Sequence, residues 1–169
     1  MKFHAVSLLI LVIAIAILSG CTGQQPAAPV TTPATVLTTV VPATDLPVPP
    51  GLAGNWTLSE LGIQGGNAPI MPVAENTLQF NADSTLNGYD GCNNYYATVH
   101  INGNVTPFGT GMTLGPVGRS TKQCLNIADQ EQIYFDVLER TRAYAADSNQ
   151  LTLKASNGDI LVYKRPATS

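Results

Sequence analysis

Asn87-Gly88-Tyr89-Asp90-Gly91-Cys92-Asn93-Asn94-Tyr95 packs an aspartate, a glycine, a cysteine and two asparagines between two tyrosines, the mark of a tight reversal between strands. Gly88 and Gly91 flank a point where the chain must turn sharply. Glycine accepts positive φ without steric penalty, and Asn93 is among the few other residue types that tolerate it. The Asn93 side chain can also close a local hydrogen-bonded turn. Tyr95, and Trp56 further upstream, are natural core-capping aromatics, each with a polar atom that can reach the edge. A structural role is therefore expected for Gly91, Cys92 and Asn93, with ligand binding as the alternative.

Working outward, short candidate strands surround this turn at residues 55–61, 76–81, 85–89, 95–101, 104–108 and 113–117. Three more follow at 143–146, 150–155 and 159–164. Turn signals separate them at Asn81-Ala82-Asp83-Ser84, Asn102-Gly103, Asp147-Ser148-Asn149 and Asn157-Gly158. Leu78/Phe80, Leu151/Leu153 and Ile160/Val162 alternate as half-buried strands do. Residues 126–141 read as one helix. Asn126 is its candidate cap, Asp129 lies near the positive end of the dipole, and Arg140 and Arg142 lie near the negative end. Ile127, Tyr134, Val137, Leu138 and Thr141 form its apolar stripe. The expected fold is mainly β: a meandering small antiparallel β-barrel or strongly curved sheet, with one α-helix inserted before the last strands.

Four segments are expected. Residues 1–20 form a signal peptide, with Lys2 and His4 ahead of an apolar run from Ala5 to Leu18. Leu18-Ser19-Gly20-Cys21 resembles the processing signal of membrane lipoproteins, which implies a lipidated Cys21. An uncleaved N-terminal anchor is the alternative, although a span wants about 20 apolar residues. Residues 21–50 are rich in proline and threonine and nearly free of charge, a composition that cannot offset its ordering entropy and serves as an extended spacer. Residues 51–165 form one domain, and 166–169 a tail.

Leu52-Ala53-Gly54-Asn55-Trp56-Thr57-Leu58, the turn stretch itself, and Ser120-Thr121-Lys122-Gln123-Cys124 follow one another in this order. Next come the helix with Glu131 and Leu138, then Leu151-Thr152-Leu153. This order resembles the META/HslJ-like domain family over nearly all of residues 51–164. Gly91-Cys92-Asn93-x-Tyr95 is its most distinctive piece. Family members often carry a methionine-rich step before the second cysteine, where this chain has Lys122-Gln123. The resemblance implies a compact β-rich domain, often on envelope lipoproteins, with no established enzymatic activity. Members are associated with heat-shock response, drug tolerance, motility or virulence.

With Cys21 assigned to lipid, Cys92 and Cys124 remain. Outside the cytosol an even pair is most readily read as a disulfide. Two free thiols, or a metal or redox pair, are the alternatives. A metal would need more ligands, and a redox pair usually comes as Cys-x-x-Cys.

The formal net charge is −3. Removing the leader takes Lys2 with it and leaves seven basic against eleven acidic side chains. Such a surface, without a basic run, excludes nucleic acid as the expected partner. His100 reads as a rim residue, and no nucleophile elbow, phosphate loop or dinucleotide fingerprint is present. Asp83 and Asp90 sit where turns want aspartate. No catalytic residue, metal or cofactor is expected. Asn55-Trp56-Thr57 and Asn104-Val105-Thr106 match the N-glycosylation triplet. Asn104 is the favoured acceptor because Asn55 is expected to be partly sheltered in its strand.

The leading expectation is a monomeric, non-enzymatic module lipid-anchored on the exported side of the cell membrane. It would contact an envelope protein, with a stress-related role implied by the resemblance. The second is a small-ligand carrier, since Gly54-x-Trp56 with Arg165 resembles the Trp–Arg closure of lipocalin-like barrels. The third is an inhibitor of an envelope protease. The loop Gly62-Ile63-Gln64-Gly65-Gly66-Asn67-Ala68-Pro69 is polar enough to engage a partner.

Overall fold

The structure, a computed structural model, describes residues 45–166. The leader, Cys21, most of the spacer and residues 167–169 lie outside the described residues. The strands are β1 (Gly54–Gly62), β2 (Thr77–Phe80), β3 (Thr85–Tyr89), β4 (Asn94–Thr106), β5 (Gly109–Leu114) and β6 (Gly118–Arg119). After α1 (Ala128–Glu139) come β7 (Thr141–Ala146), β8 (Gln150–Ala155) and β9 (Ile160–Lys164). Every pairing is antiparallel. β9 returns to β1, and β3 pairs β4, so eight strands close a barrel with β6 as a short annex on β4. Closure removes free edges.

Alternation builds the barrel wall. Along β4, Tyr95, Ala97, Val99 and Ile101 are buried while Asn94, Tyr96, Thr98 and His100 face solvent. The helix buries Tyr134, Phe135, Val137 and Leu138 and packs on β5, β8 and β9, covering the opening as its apolar stripe requires.

Three local readings are corrected. Asn102-Gly103 does not turn the chain, because β4 runs through it for 13 residues. Gly103 takes φ +70°, the Asn102 carboxamide accepts from Asn104 N–H at 3.0 Å, and the register slips between Ile101 and Val105. The pair forms a bulge, and the reversal falls at Pro107-Phe108. The strand expected over 113–117 is β5, ending at Leu114; proline at 116 supplies no donor, and pairing resumes only in β6. At the helix, Ile127 and not Asn126 holds the N-cap position, without a side-chain cap. Asp129 stands in the first turn as expected, while Arg140 pairs with Asp136 at 2.7 Å.

The last residues read as spacer, 45–50, belong to the fold. β3 accompanies β4 only as far as Thr98. Beyond it Leu46 bridges Ile101, donating to its carbonyl at 2.8 Å, and Val48 is buried. Pairing an exposed strand edge and burying one valine give these residues what spacer composition alone could not.

One end of the barrel is closed by Arg165. Its guanidinium stacks 4.1 Å from the Trp56 ring centre and donates to the carbonyls of Ala53, Gly51 and Ser148 at 3.1, 2.8 and 3.1 Å. Such a contact contributes about 0.5–2 kcal/mol. Trp56 is fully buried and donates to the Leu52 carbonyl at 2.9 Å. Gly54, at φ +103°, passes close beneath the guanidinium.

Inside, three hydroxyls form a directed chain. Tyr95 spends its proton on the Thr77 carbonyl at 2.9 Å, so Tyr134 must donate to Tyr95 at 2.5 Å. Tyr163 then donates to Tyr134 at 2.9 Å. Burial raises all three acidities' pKa values: Tyr134 is pushed up to about 12, and Tyr95 and Tyr163 lie well above the ordinary tyrosine value. Their neutral forms are thus favoured by folding. The resulting stability is complete below the unfolded tyrosine value, about 10, and is lost as pH rises through the folded values. Urea unfolding at stepped pH should show stability falling above pH ~10, with tyrosinate absorbance from these rings appearing only as the barrel opens. Tyr134→Phe should cost about 1–3 kcal/mol at neutral pH by stranding the Tyr163 donor.

Candidate functional site

The turn between β3 and β4 is the most elaborately bonded point of the surface. Asp90 N–H donates to the Asn93 carbonyl at 3.0 Å. Asp90 Oδ1 accepts from the Cys92 and Asn93 N–H groups at 2.7 and 2.6 Å, an aspartate-closed turn. Gly91 takes φ +97°, and a Cβ there would stand 2.5 Å from that of Ala74. Gly88 serves differently. It lies within β3 opposite Tyr95, and a Cβ would run into the Tyr95 ring and the Thr77 carbonyl. Close approach, not backbone freedom, requires glycine at 88.

Asn93 also departs from expectation. Its backbone is not left-handed; among described residues other than glycine only Ser84 is, at φ +61°. Instead its buried carboxamide reaches across to another segment. Oδ1 accepts from Ser120 Oγ at 2.9 Å and Lys122 N–H at 2.8 Å, and Nδ2 donates to the Lys122 carbonyl at 3.1 Å. One side chain thereby imitates a backbone ladder. Beside it Cys92 and Cys124 are disulfide-bonded, with Cα atoms 6.1 Å apart and a sequence separation of 32. The pairing read from compartment is the one the structure contains.

The turn binds the rest of this end together. Gly91 sits against Ala74 and Ile127, and Gln130 of α1 accepts from Val73 N–H at 2.5 Å. Asn76, Asp90, Asn93 and Gln130 are all buried, and Asp90 Oδ2 makes no hydrogen bond among the described residues. Asn76 and Gln130 went unsingled in the sequence because nothing local distinguishes a buried amide from a surface one. Around this rigid turn the side chains of Met71, Val73 and Leu125 are exposed, Leu125 at 88%. A groove of about 440 Å³ runs along Lys122, Cys124, Leu125 and Glu131.

Other singled-out residues lie elsewhere. His100 is at the surface, 2.6 Å from Asp45. Asp83 bonds Thr85 within its turn, far in role from an acid–base pair with Asp90. Asn104 is exposed, and so is Asn55, which points outward from β1 and is not sheltered. In the 62–69 loop Gln64 N–H donates to Asp159 at 2.7 Å.

Comparison with known proteins places this geometry. A family model described as META domain matches residues 50–168. A protein from Burkholderia xenovorans solved by NMR is similar in structure, with TM-score 0.54, 20% identity, and coverage of 76% of this chain and 98% of that one. A DUF4847 family protein from Bacteroides vulgatus has TM-score 0.53 at 11% identity, covering 69% of this chain and 95% of that one. These likenesses concern the fold. No curated protein matches the chain.

The turn's two fastenings should be separable by mutation. Replacing Cys92 and Cys124 together by serine should destabilise the protein by about 3–4 kcal/mol from loop entropy. Asn93→Ala with the disulfide intact should cost about 1–3 kcal/mol by stranding Lys122 N–H and its carbonyl. Urea denaturation of the full chain, with and without reductant, measures both.

Proposed function

The chain belongs to the META domain family, and from that premise we propose that it is an exported, membrane-tethered, non-enzymatic module that works by contacting an envelope protein. The observation that carries this reading is the Cys92–Cys124 bond, since such bonds persist in oxidising compartments outside the cytosol. Leu18-Ser19-Gly20-Cys21 supplies the matching tether. One acyl chain binds membranes only marginally, so stable retention requires a second lipid chain.

Contact is favoured over carriage by what fills the barrel. A carrier needs a cavity of several hundred Å³. Trp56, Tyr95, Tyr134 and Tyr163 are fully buried there, with Leu61, Leu86, Met112 and Leu161 packed among them. The exposed apolar side chains at the clamped end are better suited to a protein surface, because the disulfide and the Asn93 bonds fix the backbone beside them and lower the ordering cost of contact.

Two measurements test the two halves of this reading. Labelling cells with a lipid precursor should mark the chain and not Cys21→Ser, and the mutant should leave the membrane; unchanged retention would remove the lipid tether. A photo-crosslinking residue at position 125 should capture one reproducible envelope protein, whereas the same probe at position 104 should not. Equal capture at both positions, or none at 125, would discard the clamped end as the contact surface.

A further inference from the structure

The outward face of β1–β4 carries two rows of uncharged side chains. Asn55, Gln79, Asn87 and Tyr96 stand directly opposite one another across four consecutive strands. All four are exposed. Two residues along, Thr57, Thr77, Tyr89 and Asn94 make a second such row. Neither row contains a charge. At a strand spacing of about 4.8 Å each row extends roughly 14 Å, and the rows lie about 7 Å apart. A groove of about 440 Å³ runs over Asn55, Gln79, Asn87, Tyr89 and Asn94, with Glu75 at its border.

The amides on this face are idle. Elsewhere Asn81, Asn93, Asn102 and Asn157 spend their side chains on internal hydrogen bonds. Asn55, Gln79, Asn87 and Asn94 use theirs on no other group among the described residues. Each carboxamide offers two donors and an acceptor. Beside them are two tyrosines, diagonal neighbours within reach of one ligand. Tyr96 lays its ring across Gly118 and remains 64% exposed, and Tyr89 is 39% exposed.

We propose that this face binds a neutral oligosaccharide lying along the amide row. Vicinal sugar hydroxyls both donate and accept, matching amides that do the same, and the C–H face of a pyranose stacks on an aromatic ring. Charge decides against other occupants. The cation beside the rows is Lys164 on β9, one strand beyond Thr57; a single edge lysine is a poor match for phosphate, and Glu75 repels acidic sugars. A peptide adding as a strand would need a free edge, whereas β1, β2 and β3 are each paired on both sides. The face starts at Tyr89 and Asn94, which flank the clamped turn, and runs away from it across β1–β3; its role does not rest on the tether or on any protein partner.

Titrating isotope-labelled full chain, in a detergent without a sugar headgroup, with cellohexaose, maltohexaose and chitohexaose tests this by NMR. At least one of them, at millimolar concentration, should saturably shift the side-chain amide signals of Asn55, Gln79, Asn87 and Asn94. The Asn104 signal should stay still, and a hexamer of galacturonic acid should have no effect. Tyr96→Ala and Asn87→Ala should each weaken binding by roughly five- to tenfold, about 1–1.4 kcal/mol. Should the first disturb the β6 pairing, Gln79→Ala takes its place. The proposal is overturned by silence of these four amides with all three sugars, by equal affinity in the variants, or by equal binding of the acidic hexamer.

Discussion

The ring of Tyr95 lying across Gly88 is the contact on which the rest of this barrel depends. A side chain at 88 would meet that ring and the Thr77 carbonyl, so β3 can sit beside β4 only because glycine is there. The ring so placed meets Tyr134 and Phe135 edge-on, at 5.8 and 5.4 Å between centres, in the favourable geometry of aromatic pairs. Its hydroxyl fixes the direction of every hydrogen bond in the tyrosine chain. Through that chain β2, β4, α1 and β9 are tied at one point. Arg119 then covers Phe135 from outside, 4.4 Å from its ring centre. Removing the space above Gly88 would therefore unseat the helix as well as a hairpin.

Much of this was legible in the sequence, for reasons that differ by residue. β3 and β8 have the bounds their alternation predicts, because a period of two with a buried face leaves one register. Trp56 and Arg165 are legible as a pair through their resemblance to the Trp–Arg closure of lipocalin-like barrels, and the structure stacks them. Asn102-Gly103 was misread because a bulge and a hairpin want the same two residues. The choice between them lies outside the pair: beyond it Val105 and Thr106 pair with Thr110 and Gly109 of β5, which keeps β4 running. Asn93 reads locally as a turn residue, for its tolerance of positive φ and for a side chain able to close its own turn. What it does is determined by where Ser120 and Lys122 arrive, and no local pattern carries that information.

The two ends of the barrel use opposite chemistry for the same purpose. Arg165 closes one with a single cation distributed over three carbonyls and a ring. The other is closed by a covalent bond and a carboxamide that mimics a strand. Between them the interior is packed with large side chains, which leaves recognition to the outside. The exposed apolar residues near the disulfide and the uncharged amide face on β1–β4 are two surfaces of different chemistry on one rigid frame. The two surfaces meet at Tyr89 and Asn94, on either side of the clamped turn.

The docking of residues 45–48 has a mechanical consequence. Any pull transmitted along the chain from its amino-terminal side reaches the barrel first at Leu46, whose one backbone bond to Ile101 and neighbouring Asp45–His100 contact stand ahead of every ladder. A lone bridge yields under a load that a full ladder withstands. Tension on residues 45–48 would peel this strip from the edge of β4 first, while Pro49, whose carbonyl accepts from Leu52 and Ala53, and the Trp56–Arg165 closure hold. Its release would bare Val48 and the Ile101 edge of β4 and leave the closed ring of eight strands intact.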